Sequence, residues 1–291
     1  MSYVIRWSTI AGVILFACTP SIQAATSVSP SLTGSWSGSA TGTEYKDQDN
    51  GTGGTTPVSH KASGNAVASV TQTGNDLIFT LTITSTNSST PTTFTVPLTG
   101  KVGDFAFWAT GVEPASDTDP AQQVFASGHF DKKPSKITGN MIFYKDHHVT
   151  DVAYTLKKTS STPMVRDARY AFVLPEAAPR DNNTPFNIAG SSTGKSFDFS
   201  TSAKAVSVKS TISGMIDPVA KTATVTNTVG SNAETFNETE IDGGKAFVFT
   251  GMSGSDSLLL FGVGTGTGGG GIGWIYNDGG MTEFKWSVKK Q

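Results

Sequence analysis

Cysteine is almost absent from the chain. Cys18 is the only one, and it lies in an N-terminal segment that we expect to be removed. The mature protein then has no disulfide bonds, so its stability must come from a core of sufficient size. The 267 residues that follow residue 24 of the 291 are enough for one large or two ordinary domains.

Charge is also scarce. Charged residues make up 15% of the chain, and the formal net charge of −2 becomes −3 when the leader is removed together with Arg6. A balance this close to neutral excludes strong electrostatic attraction to nucleic acid or to an anionic membrane surface. We therefore expect no nucleic-acid partner, and no residue pattern in the chain calls for a cofactor.

The N-terminal apolar run, from Ile10 to Ala17, is too short to span a bilayer. It follows a single charge at Arg6. Ala24 then places a small residue at a cleavage point, with Ile22 two positions before it. This pattern predicts a secretory signal peptide over residues 1–24, no transmembrane segment, and an extracytoplasmic protein that is periplasmic or secreted.

A bacterial lipoprotein signal is the alternative reading of this segment. Leu15, Phe16 and Ala17 precede Cys18, which would be acylated in that case. Phe16 stands where such signals usually carry a small residue, so we favour removal of Cys18 with the leader.

Helical periodicity is missing from the rest of the chain, and short alternating stretches take its place. In the clearest one, Leu77, Phe79, Leu81 and Ile83 alternate with mostly hydroxyl residues, as in a half-buried antiparallel strand. The first part of the chain predicts eight such strands, with a polar loop over 46–57; they lie at about 33–45, 65–72, 77–84, 92–98, 102–109, 123–130, 136–144 and 149–157. Eight meandering strands favour an up-and-down barrel, because closure removes the exposed edges.

The opening and the close of this first module both recur. Leu32–Gly38 is matched by Ile188–Gly194, and Asp151–Lys158 is matched by Glu283–Lys290. We therefore predict an all-β protein of two tandem antiparallel β-barrel-like (or sandwich) modules of about eight strands each. The modules span residues 28–158 and 186–291, and a proline-containing linker at 159–185 with one short strand joins them. One large sandwich or a solenoid-like array is the alternative.

The second module is predicted to have strands near 195–200, 203–209, 211–216, 222–228, 236–241, 245–250, 256–263, 271–276 and 282–289. This fixes the number of strands to within one or two. Ten glycines fall between Gly262 and Gly280. No helix or lysine follows in the register of a phosphate-binding loop. This pattern favours a strand that another backbone approaches closely, followed by a wide loop that ends at Ile272.

The opening Gly34-Ser35-Trp36 and the hairpin Val70–Asn75 resemble the first strands of the lipocalin and avidin barrels. The resemblance implies that Trp36 closes one end of the barrel and that a ligand cavity lies inside, opposite the plugged end. Lys157 and Lys158 stand where the resemblance implies an arginine over the indole, and no lipocalin Thr-Asp-Tyr segment is present. In the second copy Ser192 aligns with Trp36, so we assign the expected ligand pocket to the first module.

Four aromatic residues are the candidate ligand-binding side chains: Trp36, Trp108, Tyr144 and Trp274. The three tryptophans also have a structural reading. Trp36 would be a plug, Trp108 a half-buried contact between the modules, and Trp274 a buried indole beside a turn. Phe105 is expected on the same strand face as Phe107, with Trp108 on the other.

Catalytic and metal-binding patterns are weak, and we assign no catalytic residue and no metal ligand. Asp146 and His148 could share a strand face, with His129 as a third metal ligand, but a closed zinc site requires four ligands. Gly190–Gly194 has the letters of a nucleophile elbow without the helix that such an elbow needs. The carboxylate pairs Asp117/Asp119 and Glu238/Glu240 lie in polar segments and are expected to be ordinary loop or strand charges.

These observations favour an exported, non-catalytic β-barrel protein that binds a small apolar or planar ligand or a surface partner. A structural or adhesive envelope protein capable of self-association is the alternative, and an enzyme of unknown reaction is the third reading. An enzyme would require polar groups that converge on His129 or His148.

Overall fold

All regular structure in the described part of the chain is β-strand. The computed structural model describes residues 30–49, 55–86, 93–113, 121–145, 147–163, 185–217, 219–243, 245–265 and 267–291. Its strands are β1 (Gly34–Asp49), β2 (Thr55–Thr73), β3 (Asp76–Ser85), β4 (Thr93–Val102), β5 (Ala106–Glu113), β6 (Gln122–Phe130), β7 (Lys136–Lys145), β8 (His148–Ser160), β9 (Phe186–Asp198), β10 (Val206–Asp217), β11 (Thr222–Val229), β12 (Asn232–Gly243), β13 (Ala246–Ser253), β14 (Asp256–Thr265), β15 (Gly268–Asn277) and β16 (Gly280–Lys290). Within these residues no helix is long and apolar enough to cross a membrane.

The strands form two closed antiparallel barrels of eight strands each, β1–β8 and β9–β16. Neighbours in sequence pair with each other, and the first strand of each barrel pairs with its last. Gly38 lies opposite Leu156 in the first barrel, and Gly190 lies opposite Val288 in the second. This confirms the all-β prediction of two tandem barrels and rules out the sandwich, because every strand has two hydrogen-bonded neighbours. It is also the architecture that the lipocalin and avidin resemblance implies.

Three predicted boundaries are wrong. The polar stretch 46–57 is mostly strand, because β1 continues to Asp49 and pairs there with Thr55 of β2. The two strands expected at 203–209 and 211–216 are one continuous strand, β10. The wide glycine loop is absent: Gly268–Gly271 lie in β15 and pair with β14 after a short turn. The leader, the Asp117/Asp119 pair and linker residues 164–184 lie outside the described residues.

Successive side chains along each strand point alternately into and out of the first barrel. In β3, Leu77, Phe79 and Leu81 are buried, whereas Ile78 is 50% exposed. Phe79 packs against Phe107 and Tyr154, with ring centroids 5.0 and 5.9 Å away. Burial of such side chains stabilises the barrel by about 1.5–3 kcal/mol each.

The interior of the second barrel is filled by aromatic side chains that pack over glycines. A Cβ on Gly262 would lie 2.5 Å from the Trp286 ring, and one on Gly273 would lie 2.7 Å from the Phe284 ring. Phe247 packs against Trp286 with ring centroids 5.8 Å apart and ring planes inclined by 47°. The glycine-rich segment is therefore needed for core packing, since a larger residue would displace these rings.

The two barrels align in a register that differs from the one the sequence predicted. Trp36 pairs with Lys158 in the first barrel, and Ile188 pairs with Lys290 in the second. Since these two lysines occupy matching places in the closing strands, Ile188 and not Ser192 is the counterpart of Trp36. The expected equivalence of Trp36 and Ser192 is wrong by four residues, because the repeated glycines permit both alignments.

A third apolar cluster lies between the barrels. Outward-facing side chains of the first barrel, among them Phe125, pack against outward-facing side chains of the second, among them Trp274 and Tyr276. The ring of Phe125 lies 4.9 Å from Trp274 and 5.0 Å from Tyr276. Phe105 joins this cluster while Phe107 points into the first barrel, so the prediction that they share a face is wrong. The reason is that β5 begins only at Ala106, and Phe105 precedes it.

Candidate functional site

A cavity of about 120 Å³ opens at one end of the first barrel. Its lining is predominantly apolar and includes Ala40, Ala62, Ile83, Phe143 and Val152. These residues come from the inner faces of β1, β2, β3, β7 and β8, so closure of the barrel is what brings them together. The cavity therefore lies within the predicted first module.

Small residues on two adjacent strands create the space. On β1 the inner face carries Ala40 and Gly42, and on β2 the cavity wall is formed by Ala62 and Gly64. Larger side chains fill the corresponding level at the opposite end, where Trp36 lies. The change from bulky to small residues along β1 leaves this end of the barrel open.

A hydrogen-bonded carboxylate–imidazole pair lies at the polar side of the cavity. The carboxylate Oε1 of Glu44 lies 3.0 Å from Nε2 of His148, and both residues line the cavity. His148 is 5% exposed. Burial by itself would raise the pKa of Glu44, but the hydrogen bond and charge of His148, together with nearby Lys46, lower it below its usual value. Glu44 is thus held as a carboxylate that accepts from the imidazole.

The other ring nitrogen of His148 has no protein partner. Its Nδ1 is buried without a hydrogen bond among the described residues. The hydroxyl of Thr150 is 3.5 Å from Nε2, on the side already occupied by Glu44. Nδ1 is sealed off from solvent, so a group in the open cavity does not reach it without a movement of the ring.

Trp36 lies at the other end of the first barrel. It is completely buried, and its indole N–H donates to the carbonyl of Leu32 at 3.0 Å. Nζ of Lys158 stands 5.4 Å from the ring centroid. Along β1, Trp36 is about 26 Å from Glu44, so the structure places it away from the cavity, as the plug that the resemblance implies.

The structure brings the remaining three candidates together between the barrels. Trp108 donates its indole N–H to the carbonyl of Asn277 at 2.9 Å and packs on Tyr276 at 4.8 Å. Tyr144 packs in the same cluster, and burial together with Tyr276 raises its pKa. Trp274 is completely buried. Trp108 and Tyr276 also line a groove at the protein surface.

A second set of polar groups converges at the interface on Glu283. Its Oε2 accepts hydrogen bonds from Ser127 at 3.1 Å and from Trp274 at 2.9 Å, and it lies 3.0 Å from Nε2 of His129. Burial would raise the pKa of Glu283, but His129, Trp274 and Ser127 lower it. The Ser127 hydroxyl donates to the carboxylate and not to the histidine. These residues therefore hold the two barrels together and do not form the serine–histidine pair of a nucleophile site.

The metal and nucleophile hypotheses find no geometric basis in the described residues. His148 points into the first barrel whereas His129 lies on its outer face, so they cannot share a metal, and no group of three potential ligands occurs there. Asp146 lies outside the described residues. Gly190–Gly194 sits in the middle of β9, which continues as a strand to Asp198.

Sequence reasoning missed Glu44 and Glu238. Glu44 lies an even number of residues from Trp36 and Ala40 on the same strand, so its side chain faces the barrel interior as theirs do. A charged residue at such a position was the available signal. Glu238 was expected to be an ordinary strand charge, and this is wrong. It is 4% exposed, its two carboxylate oxygens have no hydrogen-bond partner among the described residues, and burial raises its pKa to about 8.

Two solved structures resemble the chain distantly. It matches no family model and no curated protein. A crystal structure of a mutant of the vaccine antigen transferrin-binding protein B from Haemophilus parasuis aligns with 88% of this chain and 76% of its own, at 10% identity and a TM-score of 0.30. Kievitone hydratase from Nectria haematococca aligns over 93% of each chain, at 8% identity and a TM-score of 0.21. Similarities this low carry no argument about function.

Proposed function

We propose that the protein binds a small apolar ligand in the cavity of the first barrel. The observation that carries the proposal is an apolar cavity at the open end of a barrel whose other end is closed by Trp36. Apolar pockets with a small number of placed polar groups are the usual form of small-molecule sites. Here the polar residues of the lining include Glu44, Gln122 and His148.

The size of the cavity limits the ligand. An apolar cavity of about 150 Å³ in a protein core is enough to take up benzene. A volume of about 120 Å³ therefore suits a molecule of about one six-membered ring, or a short chain. Because the cavity opens at the barrel end, a longer molecule could leave part of itself in solvent.

Filling the cavity tests the proposal. Ala40→Phe would occupy the space from β1, and Ala62→Phe would narrow it from β2. Ala153→Phe is the matched control, because Ala153 is exposed on the outer face of β8 next to Thr41. Toluene binding, measured by titration calorimetry and by thermal shift, is expected in the wild type and in the control. It should be lost or reduced at least about tenfold in the two filled variants.

Two results would contradict ligand binding in this cavity. One is the absence of any toluene binding to the wild-type protein at its solubility limit. The other is equal affinity in the wild type and in both filled variants, provided that their far-ultraviolet circular dichroism shows intact barrels. Ala62→Phe guards against misfolding of Ala40→Phe, since Ala62 lies nearer the open end.

Export belongs to the proposal as well. The leader pattern over residues 1–24 supports it, and that segment lies outside the described residues. Cleavage after Ala24 would leave a mature chain that begins at Ala25 and has no cysteine. Mass spectrometry of the protein from its native host would show that N-terminus, whereas retention of Cys18 with an added acyl mass would establish the lipoprotein alternative.

A further inference from the structure

We propose that the surface groove at the junction of the two barrels binds a neutral saccharide. The groove has a volume of about 540 Å³, within the range of about 300–1,000 Å³ that is usual for small-molecule sites. One lining side chain, Trp108, comes from the first barrel. The others come from two neighbouring hairpins of the second barrel, and they are Ser255, Ser257, Tyr276, Asn277 and Asp278. The groove shares no residue with the cavity of the first barrel, so the inference goes beyond the proposed function and does not depend on it.

Two aromatic rings form the apolar wall of the groove. The ring centroids of Trp108 and Tyr276 are 4.8 Å apart, and the ring planes are inclined by 47°. Both side chains belong to the apolar cluster between the barrels, but both are only partly buried. Part of the aromatic surface is therefore open to a ligand. An exposed aromatic surface of this kind suits the apolar C–H face of a sugar ring.

Hydrogen bonds hold this wall in place. The indole N–H of Trp108 donates to the backbone carbonyl of Asn277 at 2.9 Å. The side-chain amide of Asn277 donates to Asp256 of the neighbouring hairpin, and its oxygen accepts from the N–H of Gly279 at 2.7 Å. Trp108 is thus linked to both hairpins. A site whose side chains are already fixed loses less conformational entropy when a ligand binds.

The polar side of the groove offers a carboxylate and hydroxyl groups. The side chain of Asp278 is 82% exposed, and its Oδ2 lies 3.5 Å from Nζ of Lys101, which is outside the lining. Ser255 is exposed, and the hydroxyl of Ser257 forms a hydrogen bond with the phenol of Tyr276. An exposed carboxylate can accept hydrogen bonds from two hydroxyls at once. Neighbouring hydroxyls are what a sugar ring carries at its edge.

The charges of the groove argue against other classes of ligand. A phosphate or a carboxylate would meet the negative charge of Asp278, and among the described residues no lysine or arginine lines the groove. A cationic ligand would have to compete with Lys101, which already lies within ion-pair distance of Asp278. A wholly apolar ligand would cover polar side chains without giving them hydrogen bonds. A neutral molecule with an apolar face and several hydroxyls meets all three conditions.

Blocking the groove tests where a saccharide binds. The protein is first screened on an array of mono- and oligosaccharides, and the best-bound glycan is then titrated by calorimetry. We expect the wild type to bind and Ser255→Trp, which places a bulky side chain in the groove, to lose binding. Ser231→Trp is the matched control and should bind as the wild type does. Both serines are exposed and follow a glycine of positive φ in a tight hairpin turn, but only Ser255 lines the groove.

The two sides of the groove are tested separately. Trp108→Leu keeps an apolar side chain between the barrels but removes the aromatic face, and it should weaken binding about fivefold. Asp278→Ala should weaken binding about tenfold. Asp76→Ala is its control, because Asp76 also pairs with Lys101, at 2.9 Å, but does not line the groove. Ala40→Phe, which fills the cavity of the first barrel, should leave glycan binding unchanged.

Three results would overturn the inference. One is a wild-type protein that binds no glycan on the array. Another is a glycan affinity that is the same in Ser255→Trp and in the wild type, since the site would then lie elsewhere. The third is binding of indole, a planar ring without hydroxyls, that Ser255→Trp abolishes while no glycan binds, because the groove would then select flat apolar rings. Ser255→Trp lies in an exposed turn, so the test does not depend on the folding of Trp108→Leu.

Discussion

The carboxylate of Glu283, on the last strand of the second barrel, lies 3.0 Å from Nε2 of His129, on the sixth strand of the first. The same oxygen also accepts from Ser127 of the first barrel and from Trp274 of the second. One carboxylate oxygen thus contacts two polar side chains of the first barrel and one of its own barrel, in an interface that also contains the Trp108–Asn277 hydrogen bond. The stability of the whole chain should depend on this carboxylate.

Replacing Glu283 by alanine is expected to destabilise the protein by about 2–4 kcal/mol. The reason is that the Trp274 indole and the Ser127 hydroxyl would lose their acceptor in a buried place. Urea unfolding followed by tryptophan fluorescence measures the effect. Lys285→Ala, an exposed neighbour on the same strand, is the control and should change stability by less than about 0.5 kcal/mol. Equal effects of the two substitutions would show that the interface does not depend on this carboxylate.

Acid should weaken the protein through the same group. The pKa of Glu283 is lowered below its usual value of 4.5, so the carboxylate contributes stability that is fully present above pH 4.5. That contribution is lost as the pH falls through the lowered pKa. Denaturation midpoints between about pH 6 and pH 2.5 should therefore decline less steeply in Glu283→Gln than in the wild type. Parallel curves would contradict the assignment.

Glu238 should have the opposite pH dependence. Burial inside the second barrel raises its pKa from 4.5 to about 8, so the folded protein binds a proton that the unfolded chain releases. The contribution of this group to stability is therefore fully present below pH 4.5 and is lost as the pH rises to about 8. Glu238→Gln removes this decline, and at pH 9 it should be more stable than the wild type by about 3–5 kcal/mol. Thermal unfolding at pH 5 and pH 9 measures the difference; a Glu238→Gln advantage of the same size at both pH values would refute the buried acid.

Two glycines are expected to be essential for barrel closure. A Cβ on Gly38 would lie 1.9 Å from the carbonyl oxygen of Thr155, and one on Gly190 would lie 1.9 Å from that of Ser287. Alanine at either site must push the first strand away from the last, at a cost of about 2–4 kcal/mol. Gly264→Ala is the control, since its Cβ would be 3.6 Å from the nearest atom. Chemical denaturation of the three variants should separate the pair from the control, and three equal midpoints would contradict the steric argument.

Much of the fold could be predicted because the alternation of apolar and polar residues is visible in the sequence. Leu77, Phe79 and Leu81 are buried inside the barrel, as their spacing predicts. The matching closing motifs do pair with the opening strands. The register between the two barrels could not be read in the same manner, because glycines four residues apart fit the pattern at either offset. Only the closing-strand partners Lys158 and Lys290 show that Ile188 corresponds to Trp36.

The candidate site was harder to predict, because its parts are distant in sequence. Glu44 and His148 meet only when β1 closes against β8, and a polar residue near a strand end looks like any solvent-facing one.

The interface between the barrels posed a similar difficulty. Phe125 and Trp274 face outward from their barrels, and alternation separates two faces of a strand without saying that a second barrel covers the outer one. The available signal was a run of consecutive apolar residues, Val124, Phe125 and Ala126, all of which the structure buries.

The pairing of first and last strands has a consequence for how the chain reaches its native state. Ser35 must find Ser160 before the first barrel is closed, and Ile188 must find Lys290 before the second is. Contacts this far apart in sequence make folding slow, in the range of milliseconds to seconds, because the entropy of closing a long loop is lost before the contacts form. Until the eighth strand has been synthesised, β1 is an open edge that can pair with other chains. Refolding yield should therefore fall steeply with protein concentration, although the native barrels expose no such edge.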